Sequence, residues 1–161
     1  ELDQAGYREM LETTTQLNKV GMALAEQSAV HAMTDVTGFG LLGHLLEMCR
    51  GAGLAAEVAL EALPILPTAR VLAMAGASTG AATRNWQSYG DEVRLPADIA
   101  AWQQSILCDP QTSGGLLVAC APHEAEAVLA MFHESGFAAA TKIGDMMTGE
   151  PEIRVLSGKE T

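Results

Sequence analysis

The sequence predicts an α+β domain in which helices pack on a mixed or antiparallel sheet. Segments with helical periodicity and segments rich in β-forming residues alternate irregularly along the chain, which disfavours a regular doubly wound fold. The last two β-type segments lie close enough in sequence to pair through a turn at 148–151. With 161 residues, 48% of them hydrophobic, the chain is expected to form one domain over residues 1–161.

The first half of the chain predicts three helices and two strands. Residues 3–28 carry apolar side chains at helical spacing without proline, which indicates one long helix. Residues 30–36 form a short β-rich segment, and residues 40–49 form an amphipathic helix that stops at glycines. The two remaining elements are a strand at 54–60 and a short helix near 67–76.

The second half begins with residues 78–96, which are dense in small and polar residues and predict a long functional loop. Residues 98–108 read as a helix with Asp98 as its N-cap. The remaining elements are a buried strand at 116–121, a helix at 122–136 and two closing strands at 138–146 and 152–156.

The charge balance is strongly acidic, because 20 acidic residues against 9 basic ones give a net charge of −11. This balance argues against nucleic acid, which needs a basic face, and against anionic membrane surfaces. No apolar segment approaches the length of a membrane helix. An acidic protein still binds a nucleotide when Mg²⁺ bridges its carboxylates to the phosphates.

The cysteines Cys49, Cys108 and Cys120 form no close pair, and an odd, scattered set fits a reducing cytoplasm. Cys108 stands next to Asp109 at the end of a predicted helix. The adjacent carboxylate and the negative C-terminal end of the helix both raise the pKa of a thiol. We therefore interpret Cys108 as structural rather than nucleophilic.

The stretch "TDVTGFG" places Asp35 at the end of a predicted strand, followed by Gly38 and Gly40. Glycines expose backbone N–H groups, and the N-terminus of the next helix favours anions. These features suit a cation beside phosphate oxygens. Asp35 as a helix cap with glycines in a plain turn explains the pattern equally well, because no GK[ST] motif follows.

A second stretch, "CDPQTSGG", concentrates polar side chains within five residues: Asp109, Gln111, Thr112 and Ser113. Ligand contact or domain docking would use them, but a well-satisfied polar turn remains an equal alternative.

The third stretch, "TRNWQSYG", holds Arg84 and Asn85 inside the predicted loop. Arginine binds phosphate through its planar fork. For Trp86 and Tyr89, anchoring of the loop is the preferred interpretation over base stacking.

Together, "AMTDVTGFGLLGHLLEMCRGAG", "TRNWQSYG" and "LCDPQTSGGLLVA" closely resemble the C-terminal domain of bacterial selenophosphate synthetases, in order and over residues 15–156. That family belongs to a superfamily of ATP-using aminoimidazole ribonucleotide synthetases, hydrogenase-maturation dehydratases and thiamine-phosphate kinases. A thiamine-phosphate kinase fits "CDPQTSGG" less well.

The resemblance implies conversion of selenide and ATP to selenophosphate, AMP and phosphate in a Mg²⁺-dependent, two-domain homodimer. It implies Asp35 as a metal ligand and Thr37, Gly38, Phe39 and Gly40 near the phosphates. By the same resemblance Asp109, Gln111, Thr112 and Ser113 support the nucleotide site. Arg84 and Asn85 match a family motif without an assigned role.

The chain departs from the family because nothing in it matches the N-terminal half, with its reactive Cys or Sec and its lysine. The abrupt opening at residues 1–3 suggests a C-terminal piece that is inactive alone, although a processed chain would look the same. A stand-alone nucleotide-binding or interaction module without turnover remains the alternative.

Overall fold

The computed structural model describes residues 2–158, which contain seven α-helices and six β-strands. The helices are α1 (Gln4–Thr15), α2 (Val20–Ala25), α3 (Gly40–Ala52), α4 (Pro67–Met74), α5 (Gly80–Tyr89), α6 (Ala101–Cys108) and α7 (Ala125–Glu134). The strands are β1 (Val30–Asp35), β2 (Ala55–Ala59), β3 (Val93–Arg94), β4 (Leu116–Cys120), β5 (Gly144–Met147) and β6 (Ile153–Leu156). Within the same residues no helix combines the length and the hydropathy that a membrane crossing requires.

The strands form two sheets, which confirms the predicted α+β class with a mixed sheet. β1 and β4 make an antiparallel pair, and the other four strands follow the order β3-β6-β2-β5. β6 runs parallel to both β2 and β3, whereas β5 is antiparallel to β2. The expected pairing of the two closing strands is therefore wrong. β2, whose Ala56 and Val58 are buried, lies between them.

Two apolar clusters hold these layers together. In the larger cluster, Leu42 and Leu46 of α3 are completely or almost completely buried, as are Ile153 and Val155 of β6. The smaller cluster packs α2 against α7 on the β1–β4 side; its buried members are Val20, Leu24, Val128 and Phe132. α3 thus lies between the sheets, with its N-terminus next to the end of β1.

The predicted long helix over 3–28 is wrong, because the chain leaves helical geometry between α1 and α2. In this interval Asn18 Nδ2 donates to the carbonyl oxygen of Gly114 at 2.9 Å, and Gln16 Nε2 donates to that of Gly136 at 3.1 Å. These tertiary hydrogen bonds accompany the break although the apolar periodicity continues through it.

The predicted loop at 78–96 is also wrong, because α5 occupies most of its first half. Thr79 caps this helix by accepting a hydrogen bond from Ala82 N at 3.1 Å. Ala82, Asn85 and Tyr89 are buried at spacings of three and four residues, so the helix is stabilised by tertiary packing rather than by its composition.

Two smaller boundaries differ from the sequence expectation. α6 begins at Ala101 rather than after Asp98, and Gln103 Oε1 accepts a hydrogen bond from Ala100 N at 2.8 Å. The strand expected over 138–146 is shortened to β5, because Ala140 N donates to Phe137 O in a turn that precedes it.

Candidate functional site

Two of the sequence motifs meet at one end of the β1–β4 pair, where β1 ends and β4 begins. Residues 35–40, called the 35–40 loop, run from the last residue of β1 to the first residue of α3, and residues 109–115, called the 109–115 loop, lead into β4. Asp35 pairs with Leu116, so the end of β1 lies beside the start of β4. Antiparallel pairing therefore brings the two motifs together although about 70 residues separate them.

Backbone hydrogen bonds connect the two loops. Val36 N donates to Gly115 O at 2.9 Å, and Gln111 N donates to Thr37 O at 3.0 Å. A Cβ on Gly114 would fall far inside van der Waals contact with the carbonyl oxygen of Val36. Glycine at 114 is therefore required by the close approach of the loops.

Side-chain donors of helix α5 hold the 35–40 loop and the end of α6, which leads into the 109–115 loop. Asn85 Nδ2 donates to Gly38 O at 2.9 Å and to Cys108 O at 3.0 Å. The Tyr89 hydroxyl donates to the carbonyl oxygen of Phe39 at 2.8 Å. These contacts give Asn85 a positioning role that sequence reasoning missed, and they confirm that Tyr89 anchors this segment.

A third side chain from the start of α5 reaches the other loop. Thr79 Oγ1 donates to Asp109 Oδ1 at 2.8 Å, so the Asp109 carboxylate is already engaged. Arg84, which precedes Asn85, is exposed and forms no hydrogen bond or ion pair with residues 2–158. The structure therefore separates the two residues of this motif, one facing the loops and one facing solvent.

Gly40 forms the junction between the 35–40 loop and α3. Its φ is +68°, and a Cβ there would lie 2.6 Å from the backbone carbon of Cys108. No side chain caps the N-terminus of α3 at Phe39. Gly40 N donates to Thr37 O at 3.2 Å, so the N–H groups that remain for an anion are those of Leu41 and Leu42.

His44 supports the loop from inside α3. Its Nε2 is 3.1 Å from Thr37 Oγ1, and its Nδ1 is 3.1 Å from Glu47 Oε2. When Nδ1–H donates to the Glu47 carboxylate, Nε2 of a neutral ring accepts a hydrogen bond from the Thr37 hydroxyl. The Phe39 ring lies 5.6 Å from the imidazole, and about half of the Phe39 surface stays exposed.

The side chains at the rim of the site face solvent. Asp35 is exposed, and within residues 2–158 its carboxylate has no hydrogen-bond or ion-pair partner. Gln111, Thr112 and Ser113 are exposed as well, and Ser113 holds a φ of +52°. The loops thus present an unshared carboxylate and several neutral polar groups to one side.

Cys108 lies beneath this rim and is buried. Burial raises the pKa of its thiol; a hydrogen bond with Tyr89 acts in the opposite direction, and the neighbouring Asp109 carboxylate adds to the increase. A protonated, enclosed thiol is a weak nucleophile, so the burial of Cys108 favours the interpretation of this residue as structural.

The fold and these converging loops define a domain of the AIR synthase-related class. The family model described as "AIR synthase related protein, C-terminal domain" matches residues 1–156, and the chain belongs to this family.

Proteins with similar sequences carry a more specific name than the family. The chain is 54% identical to the selenide, water dikinase of Burkholderia pseudomallei (strain K96243), over 96% of this chain and 44% of that protein. It is 52% identical to the enzyme of the same name from Dechloromonas aromatica (strain RCB), over 97% and 45%. The chain thus spans less than half the length of these relatives.

Solved structures of the hydrogenase maturation protein HypE share the fold at low sequence identity. E. coli HypE matches with a TM-score of 0.63 and 18% identity, over 98% of this chain and 42% of that one. A HypE structure in complex with ATP matches with a TM-score of 0.58 and 17% identity, over 88% and 37%.

Proposed function

We propose that this chain is the C-terminal domain of a selenide, water dikinase, which forms selenophosphate, AMP and phosphate from selenide and ATP. The observation that carries the proposal is 54% identity to an enzyme of that name over nearly the whole chain. In the proposed protein an N-terminal domain precedes residue 1 and supplies the rest of the active site, and two copies form a cytoplasmic dimer. This chain alone is then inactive.

Asp35 is the ligand that this chain would give to Mg²⁺. An exposed, unshared carboxylate is the donor type that Mg²⁺ prefers in its octahedral shell, so the residue fits the ion. Within residues 2–158 there is no group of three or more His, Cys, Asp or Glu side chains able to hold a metal. The remaining ligands would therefore be phosphate oxygens, water and carboxylates of the N-terminal domain. When bound, Mg²⁺ would neutralise charge on the phosphates.

The two loops would line the phosphate end of an ATP cleft. Gly38 is exposed, with no atom within 4 Å of a Cβ built on it, so a ligand can approach its backbone closely. The uncapped start of α3 adds N–H donors, and the exposed Thr112 and Ser113 hydroxyls add neutral ones. The ATP complex of HypE, which has the same fold, supports ATP as the nucleotide.

Two measurements test the proposal. In the longer protein, Asp35→Asn should lower selenophosphate formation by roughly 100-fold or more, because a metal contact contributes several kcal/mol to transition-state stabilisation. Asp91→Asn is the matched control, since Asp91 is also exposed but lies outside both loops. Calorimetric titration of Mg-ATP should show binding to this chain only after a separately expressed N-terminal half is added.

The outcomes separate the proposal from its alternative. Unchanged turnover in Asp35→Asn would exclude the metal role. Tight binding of Mg-ATP to this chain alone would mean that it holds a complete nucleotide site, as a stand-alone binding module does.

A further inference from the structure

Helix α1 presents an apolar face that nothing within residues 2–158 covers. Tyr7, Met10 and Leu11 follow a spacing of three and four residues, so they lie on one side of the helix. Their exposed fractions are 54%, 37% and 42%. A surface helix normally directs such a stripe toward a core, so this helix lacks the partner that its sequence suits.

The contacts that hold α1 use the neighbouring side of the helix, on which Gly6 and Glu9 lie. Thr68 N donates to Glu9 Oε2 at 3.2 Å, and a Cβ on Gly6 would lie 2.9 Å from Thr68 Cγ2. The apolar face takes no part in these contacts, because Gly6 and Glu9 point toward α4. The position of α1 is thus defined while its apolar side stays open.

Helix α4 adds to the open surface. Val71 and Leu72 follow Thr68 by three and four residues, so they lie on the same side of α4 as Thr68, which contacts α1. They are 66% and 38% exposed. We call the following residues the α1–α4 surface: Tyr7, Met10, Leu11, Val71 and Leu72.

We propose that the α1–α4 surface is the docking site of the N-terminal domain, an inference that rests on the proposed function. The chain covers 44% of a relative's length and matches a C-terminal domain model, so the rest of that relative lies mainly before this domain. α1 is the first helix, so a preceding domain joins the chain beside this surface.

The same surface is connected to the candidate site. Directly after α1, Asn18 Nδ2 donates to Gly114 O at 2.9 Å, and Gly114 packs against the carbonyl oxygen of Val36. A domain seated on α1 would therefore lie next to the loops with which it shares a ligand.

Hydrogen exchange tests the docking directly. Amides of residues 4–15 should exchange at least tenfold more slowly in the longer protein than in the 161-residue chain. In the longer protein, Leu11→Glu should return this exchange to the rate of the isolated domain. Ala5→Glu is the matched control, because Ala5 is exposed on the opposite side of α1 and receives the same charge. It should leave the exchange unchanged within twofold.

Two outcomes would overturn the inference. Equal exchange in the two unmodified proteins would show that no domain covers α1, and this comparison holds even if Leu11→Glu fails to fold. Sedimentation of the 161-residue chain as a dimer that Leu11→Glu dissociates would identify a second copy as the occupant. Selenophosphate formation is assayed separately, so protection without turnover would refute the proposed function and retain the docking surface.

Discussion

The side-chain amide of Asn85 donates to the carbonyl oxygen of Gly38 at 2.9 Å and also to that of Cys108 at 3.0 Å. Gly38 belongs to the 35–40 loop, and Cys108 ends the helix that leads into the 109–115 loop. Because Asn85 is only 9% exposed, water replaces these bonds poorly. One buried amide therefore fixes the spacing between the two loops of the candidate site.

Replacing Asn85 tests this role. Asn85→Ala removes the donor from two carbonyl oxygens, and we expect the free energy of unfolding to fall by about 2 kcal/mol or more. Arg84→Ala on the same helix removes only an exposed side chain and should change it by less than about 0.5 kcal/mol. Urea unfolding of the three proteins measures both values. Equal stabilities would contradict the positioning role.

Sequence periodicity correctly predicted helices such as α3, in which apolar residues recur at helical spacing and a glycine marks the end. α3 follows from Leu41, Leu42 and Leu45 at helical spacing, and its expected glycine stop is confirmed by Gly53 at a φ of +64°. α5 escaped prediction because its threonine, glycine and serine content is typical of loops. Its cap at Thr79 and its spacing of buried residues were present in the sequence as signals.

The candidate site was predicted in part. The motifs "TDVTGFG" and "CDPQTSGG" identified both loops, because acidic, polar and glycine residues in such short stretches indicate a possible ligand site without knowledge of the fold. The hydrogen bonds from Asn85 and Tyr89 join residues 47 and 50 positions apart, and no local pattern encodes such contacts. The roles of Asp35 and the 109–115 loop in binding remain predictions.

The cysteines are expected to lower the stability of the domain at alkaline pH. Burial raises the pKa of all three thiols, Cys49, Cys108 and Cys120, above the ordinary value. At Cys120 the Glu124 carboxylate adds to the increase. The unfolded chain then loses its thiol protons at lower pH than the folded chain. The contribution of these thiols to the free energy of unfolding should be constant below about pH 8.5, and the free energy of unfolding should fall as the pH rises further.

Urea unfolding from pH 7 to 10 measures this decline. Cys108→Ala should lower stability at neutral pH because it empties buried volume, but it should flatten the alkaline decline. Cys120→Ala is the control, since Cys120 is only partly buried and its removal should alter the decline less. An alkaline slope that Cys108→Ala leaves unchanged would assign the effect to other groups.

Two adjacent glycines give the sharpest test of how closely the loops approach each other. A Cβ on Gly114 would collide with the carbonyl oxygen of Val36, which is backbone and cannot rotate away, whereas a Cβ on Gly115 has no atom within 4 Å. Gly114→Ala should therefore destabilise the domain by about 2 kcal/mol or more. Gly115→Ala should be neutral or slightly stabilising, because alanine restricts the unfolded chain. Thermal unfolding of both variants compares the two positions, and a Gly114→Ala protein as stable as Gly115→Ala would contradict the close packing of the two loops.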